Sequence, residues 1–525
     1  MNFFSNPPVI SIKDYVLKDI IWKNHVTGES KKIKRFFNGY DKGLLKANLS
    51  DKYWALIIKN CDFVKKELEG RGGFFYSNFH ILPENRSQFD SVYPISDNPI
   101  SFKTVFVSGF LFPQDQIINI EGGFYIKGEK SPSLEELTEQ HIPQEHYPTL
   151  LFNLGYYYTK QLLNEIDYGY NKVRRSKHLD KEILESDCLP FLGGSVWKKS
   201  DILVVNPPLF NKSVILFSKE GKILIIKNWK LEEGSVEILG KFLSWKKEDV
   251  NNFNSDSDIQ IFTPFIDNKN ASLSEKYKNY NVFVGSGRVN FLIISKGTGK
   301  NPESYIVKIK KGKILMPSMG MVISLDENFF TQNFKGNFSD FDESGFIKSE
   351  TPLKVYFKVG VPIDMNSYDI SFGYGGFLPL VLNGNDFTES PDELEKLMFD
   401  QGFFHPFSRQ SQETPIEKPY EREPRAVFVV TENSDNKEEY GFFSFSGRYE
   451  NSIGISLFEI VPLLKQILKT RKIKFVIHLD SGSAVKLMYL QNKQNVRILN
   501  LTALSMRSFT GEYTENVYNL INFSV

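Results

Sequence analysis

From about residue 190 onward, apolar runs rich in Val, Ile, Phe and Tyr recur roughly every 8 to 15 residues, with Gly, Asn, Asp and Pro between them. β-Branched and aromatic side chains suit a pleated surface and turn formers bound it, so these runs predict strands. The predicted strands cover 202–205, 213–217, 222–226, 259–262, 282–284, 289–294, 305–309, 355–359 and 426–430. The period changes after Ser456. Glu459 stands three residues beyond that serine, and Ile460, Val461, Leu464, Ile467 and Leu468 share one helical face. A helix to about Lys469 is expected, with Pro462 as a source of a kink. A strand over 475–479 then enters Asp480-Ser481-Gly482-Ser483 and a further strand. Locally this is hairpin-turn chemistry. A carboxylate at a strand end followed by small residues also builds polar sites on rigid scaffolds. Residues 410–423, with Pro415 and Pro419, read as a loop. The whole predicts an α+β domain with a large mixed sheet over 186–525.

Residues 1–185 read as a smaller, separate α+β region of unassigned role. Residues 44–69 carry mixed helix and strand signals, 102–112 reads as one strand or two, and Ser133 with Glu136 marks a helix start. The aromatic, amphipathic segment 147–166 is expected to be a helix, and the charged run 172–187 a polar connector. No internal repeat is evident.

Composition narrows the partners. Among 525 residues, 64 Lys and Arg face 63 Asp and Glu, so charge gives no reason to expect nucleic acid as the main partner. Phe and Tyr number 46 and 24, enough to fill cores and to supply stacking faces for sugar rings. Cys61 and Cys188 make neither a disulfide framework nor a Cys-x-x-Cys metal pair. The N-terminal residues lack the basic and apolar regions of a secretory signal, and no apolar window is long enough to span a membrane. Cytoplasm, a mature form without its signal, or a particle component are the locations left open.

Several short motifs then occur in a telling order: Asn206-Pro207-Pro208 after a strand, Ile261-Phe262-Thr263-Pro264, Tyr374-Gly375-Gly376 with Asn383-Gly384, Pro424-Arg425-Ala426, Ser446-Gly447-Arg448, Gly454 to Glu459, and Leu479-Asp480-Ser481-Gly482-Ser483. This order, over roughly residues 190–525, resembles the phosphodiester glycosidase family. That family typically reads Asn-Gly-Gly, Tyr-Thr-Pro, Gly-Gly-Pro, Pro-Arg-Thr-Ala, Asp-Gly-Arg, Gly-x-x-Leu-x-Glu and Asp-Gly-Gly-Gly-Ser. The resemblance implies cleavage of a sugar-1-phosphodiester on the sugar side. A phosphate monoester departs readily, so the reaction needs a cation on the phosphate and a carboxylate at the anomeric centre more than a strong general acid. Arg suits the first task because its planar fork grips phosphate oxygens.

By that resemblance Arg425 and Arg448 are candidates to hold phosphate, and Asp480 to act at the anomeric carbon. Asn206, Gly375, Gly376, Ser481, Gly482, Ser483 and His478 are candidates to bind substrate. Bland alternatives stay open beside each: an ion-paired arginine, a turn-capping aspartate, a satisfied core histidine. The chain departs from the family at Pro207-Pro208, which lack N–H donors, at Ser481, which adds a side chain, and at Ser446, which replaces a carboxylate. A non-catalytic glycan-binding or structural protein, a homo-oligomer or part of a particle, is the rival reading. A plain scaffold whose site lies in 1–185 is a third. No cofactor is firmly implied, although scattered carboxylates could take a divalent cation.

Other motifs read as ordinary structure. Lys296-Gly-Thr-Gly-Lys300 lacks the residues of a phosphate loop, Gly285-Ser-Gly287 looks like a hairpin turn, and His141 and His146 flank Pro143 and share no helix face. The basic cluster 172–177 reads as a solvated face.

Overall fold

The structure, a computed structural model, describes residues 16–23, 30–37, 47–82, 104–124, 149–153, 157–159, 188–190, 196–199, 202–205, 211–263, 283–298, 301–315, 321–347, 353–359, 369–403, 419, 422–447, 452, 454–482, 485–492, 495–501 and 519–524. It is sheet-rich. A central sheet carries, in spatial order, the strands Ile202–Val205, Val196–Lys199, Ile370–Leu382, Lys472–Ser481, Arg425–Glu432, Glu438–Phe445, Thr104–Pro113 and Phe74–Ile81, with Ser213–Ser218 and Ile223–Ile226 hanging from Ile370–Leu382. All described strand ladders are antiparallel, as in Ala426↔Asp480 and Ser444↔Ser108.

Both faces of this sheet are covered. On one face Ala426, Phe428, Val430, Phe442 and Ile477 pack with Trp54, Ile57, Cys61 and Val64 of helix Ala47–Leu68. Those four helical residues repeat at three- and four-residue intervals, which puts them on one stripe. On the other face Val427, Val429, Phe443 and Val476 pack with Leu394 and Leu397 of helix Pro391–Asp400 and with Phe458, Val461 and Leu464 of helix Leu457–Ile467. That last helix continues through Pro462. Pro379 also sits inside a central strand, where its missing N–H would break the ladder, and the register shifts between Pro379 and Val381 to accommodate it.

A second sheet of seven strands, 241–245, 234–238, 353–359, 301–311, 289–298, 321–325 and 259–262 in spatial order, has its own core, capped by Phe330 and Phe334 of helix Glu327–Phe334. Its two edges approach each other where Asn251 N–H donates to the Ile261 carbonyl. A third sheet joins Asn495–Ile498, Leu487–Asn492, Thr149–Asn153, Asn519–Ser524 and Asn119–Phe124. No helix among the described residues is long and apolar enough to cross a membrane.

The structure departs from the sequence expectations in three places. Thr149–Asn153, inside the expected helix, is a strand between Leu487–Asn492 and Asn519–Ser524. Leu150, Leu151 and Phe152 are all buried, and a strand covered on both faces loses the alternation that distinguishes it from a helix. The turn at Gly285–Arg288 forms, yet it links no hairpin: Phe283–Val284 pairs with Ile314–Leu315, and Val289–Thr298 pairs elsewhere. Asp480–Gly482 is not a hairpin either, because the strand that follows it belongs to the third sheet. Strands on both sides of residue 185 share sheets: Thr104–Pro113 pairs with Glu438–Phe445, and Thr149–Asn153 with Leu487–Asn492. The expected helix start at Ser133, the connector 172–187, His141 and His146 lie outside the described residues.

The Phe152 and Phe442 rings stack at 4.3 Å between centroids, joining the third sheet to the central one. Phe442→Ala is expected to cost about 3–5 kcal/mol in urea unfolding. A loss under about 1 kcal/mol would mean that the two sheets do not share this core.

Candidate functional site

Four of the sequence motifs meet at one end of the central sheet. Two glycines let them approach. A Cβ on Gly447 would stand 2.6 Å from the Pro424 nitrogen and 2.8 Å from the Gly454 Cα, and one on Gly454 (φ +94°) would stand 2.7 Å from the Glu423 carbonyl carbon. Only glycine leaves room for that contact. Glu423 and Ile455 then exchange backbone hydrogen bonds of 3.3 and 3.0 Å, and Gly482 N–H donates to the Pro424 carbonyl at 2.8 Å. The segments around 424, 447, 455 and 482 are thus pinned to one another.

A buried ion pair fastens this corner to the helix Leu457–Ile467. Arg422 Nε donates to both Glu459 oxygens, at 3.2 and 3.1 Å, and its Nη2 to Oε1 at 2.5 Å. The same carboxylate accepts from the Ser456 N–H at 2.9 Å and the Ser456 hydroxyl at 2.8 Å, so the predicted capping residue also anchors the neighbouring loop. Burial pushes the Glu459 carboxyl up, but Arg422 and Ser456 outweigh it and hold it below its ordinary value. The sequence marked Glu459 as a cap and as the last residue of the Gly454–Glu459 motif, and nothing in its spacing named Arg422 as its partner.

The polar centre of the corner is Arg425, which is wholly buried. Its Nε donates to the Ile455 carbonyl at 2.8 Å and its Nη1 to Ser481 Oγ at 2.9 Å, and Nη1 lies 3.4 Å from His478 Nε2. Ser481 Oγ is itself 3.2 Å from His478 Nε2. On a regular strand residues 478 and 481 would point to opposite faces. Here Ala426 pairs with Asp480 and Val427 with His478, so Leu479 is an extra residue. That bulge turns Ser481, opposite Arg425, onto the face shared by Arg425, Val427 and His478. It also gives Asp480 the face of Ala426. Asp480 is 4% exposed, and its Oδ1 accepts from the Ser481 N–H at 2.7 Å.

Of the residues predicted from sequence, the structure therefore joins Arg425, His478 and Ser481 by side-chain contact, with Gly482 beside them through Pro424. Asp480 is adjacent in the chain but stands on the other side of the strand. Gly375 and Gly376 lie on Ile370–Leu382, where Gly375 pairs with Val214 and Leu378 with His478. Gly376 is thus two residues from the position opposite His478. Asn206, Arg448 and Ser483 lie outside the described residues. Among the described residues no group of three or more His, Cys, Asp and Glu is arranged to hold a metal ion.

The chain is a sheet-rich α+β protein with a polar corner at the end of its central sheet. No family model and no curated protein matches it. A hypothetical protein from Synechocystis is similar in structure at TM-score 0.40 and 14% identity, over 86% of this chain and 62% of that one. This chain thus spans less than two thirds of that protein's length. A candidate exported protein from Burkholderia pseudomallei also scores 0.40, at 9% identity, over 80% of this chain and 74% of that one. The catalytic domain of zebrafish N-acetylglucosamine-1-phosphodiester alpha-N-acetylglucosaminidase, auto-inhibited by its pro-peptide, scores 0.20 at 9% identity, over 63% of this chain and 87% of that one.

The Glu459 carboxyl is held below its ordinary value of 4.5, so its contribution to stability is complete above about pH 4.5 and is lost as pH falls through the lower folded value. Glu459→Gln is expected to cost about 3–5 kcal/mol at pH 7, because it leaves Arg422 buried without its counter-ion. It should also flatten the acid limb of the pH–stability curve. Equal acid limbs in the two proteins would remove the ion pair from this account.

Proposed function

We propose that the chain is a hydrolase acting on a sugar-1-phosphodiester or a related glycan, with its site at the end of the central sheet. The observation that carries this reading is the convergence of four short motifs, far apart in sequence, around Arg425, Gly447, Ile455 and Ser481. In this reading Asp480 works at the anomeric centre. Arg425 positions the corner from behind, since its guanidinium is buried among Ile455, Ser481 and His478. Phosphate contact falls to Arg448, and Asn206, Gly375, Gly376, Gly482 and Ser483 shape the substrate side. A guanidinium in a low-dielectric corner acts at longer range than one at the surface, which favours negative charge nearby.

One observation favours the rival, a non-catalytic glycan binder. On the outer face of the seven-stranded sheet Phe242, Glu237 and Tyr356 stand opposite one another on three adjacent strands, with Phe242 69% and Tyr356 38% exposed. Two aromatic rings about 10 Å apart, set by two strand spacings, make a platform of the kind on which sugar rings stack.

Hydrolysis of UDP-GlcNAc and a panel of sugar-1-phosphodiesters separates the two. The hydrolase reading expects turnover that falls about 10²–10⁴-fold in Asp480→Asn while the fold is retained. No turnover by the folded chain, with glycan binding that is lost in a Phe242→Ala/Tyr356→Ala variant, would establish the rival.

A further inference from the structure

The bulge at Leu479 creates a pairing that the proposed glycosidase chemistry does not use. Arg425 Nη1 can only donate, and it donates to Ser481 Oγ at 2.9 Å. The Ser481 hydroxyl proton is then directed elsewhere, and His478 Nε2 lies 3.2 Å from that oxygen. Arg425 Nη1 also lies 3.4 Å from His478 Nε2, and a guanidinium beside that nitrogen favours the tautomer in which Nε2 carries a lone pair and the proton sits on Nδ1. The three groups form a directed chain: Arg425 donates to Ser481, and Ser481 donates to His478. A hydroxyl within hydrogen-bond reach of an imidazole base, both oriented by a third group, is the arrangement of an activated nucleophile. Arg425 and His478 are fully buried, whereas Ser481 is only partly buried, so the serine is the member of the chain nearest the surface.

We propose that Ser481 is a catalytic nucleophile, His478 its general base and Arg425 a positioning residue, in acyl transfer from a carboxylic ester. Ser481 Oγ attacks the ester carbonyl carbon while its proton passes to His478 Nε2. The bond from that carbon to the alcohol oxygen breaks, and the alcohol leaves with the proton. Water, giving its proton to the same nitrogen, attacks the Ser481 ester, and the carboxylic acid departs as the serine hydroxyl is restored. A carboxylic ester fits better than a phosphoryl group, because the guanidinium at this corner is wholly buried and engaged with Ser481 Oγ and the Ile455 carbonyl. This inference shares a location with the sugar-phosphodiester reading but not its chemistry, so the two fail separately.

The test is covalent labelling of the full chain by a fluorophosphonate, with the modified peptide identified by mass spectrometry, alongside hydrolysis of p-nitrophenyl acetate. The expected result is one label at Ser481, abolished in Ser481→Ala and slowed at least about tenfold in His478→Gln, with both variants still folded at the assay temperature. A folded wild-type chain that takes no label, takes it at another serine, or is labelled equally fast in His478→Gln overturns the assignment, whatever the phosphodiester panel shows.

Discussion

The strand Arg425–Glu432 is the constraint on which the rest of the structure depends. It is hydrogen-bonded along both edges, to Lys472–Ser481 and to Glu438–Phe445, and it is buried on both faces. Ala426, Phe428 and Val430 enter one core, and Val427 and Val429 enter the other. A one-residue slip would exchange the two sets and drive Arg425 to the wrong side, so the register is tightly specified. The two shifts within the pairing to Lys472–Ser481, at Ala426/Val427 and Val430/Thr431, are therefore built-in features of the ladder. The first of them decides what the corner can do, because it puts Ser481 on the face of Arg425 and His478 and Asp480 on the face of Ala426.

Burying an arginine makes the same demand in another form. A guanidinium removed from water is costly unless its donors are met. Arg425 meets them with the Ile455 carbonyl and the Ser481 hydroxyl, and Ile455 is in place because Gly447 and Gly454 let its segment lie against Glu423 and Pro424. Arg422 and Glu459 fix that segment to the helix Leu457–Ile467. Packing, small residues and charge here form one dependency: remove a glycine, and the acceptor for Arg425 moves.

Much of the scaffold was legible in the sequence because its signals are local. The strand Ile259–Phe262 has the bounds its apolar run predicts, and the helix after Ser456 begins at its capping box. What could not be read depends on tertiary neighbours. Thr149–Asn153 looked helical because burial on both faces removes the alternation a half-exposed strand would show. The turn at Gly482 looked like a hairpin because turn residues report the reversal of the chain and say nothing of which strand will be met next. Four of the motifs, around 424, 447, 455 and 482, do come together, whereas Ile261–Thr263 belongs to the seven-stranded sheet and its neighbourhood. Which face Ser481 and Asp480 take depends on the inserted Leu479, which no local signal in the sequence marks.

This reversal bears on how a polar corner changes its chemistry while keeping its frame. The backbone contacts at Pro424, Gly447, Gly454 and Gly482 involve main-chain groups and absent side chains, so they tolerate exchanges at the exposed end of the strand. Residue 481 is different. Its backbone N–H serves Asp480, and its side chain serves Arg425 and His478. A glycine there would keep the first contact and lose the other two. The serine therefore links the carboxylate on one face of the strand to the cation and base on the other. Any chemistry at this end of the sheet must pass through that residue or work around it.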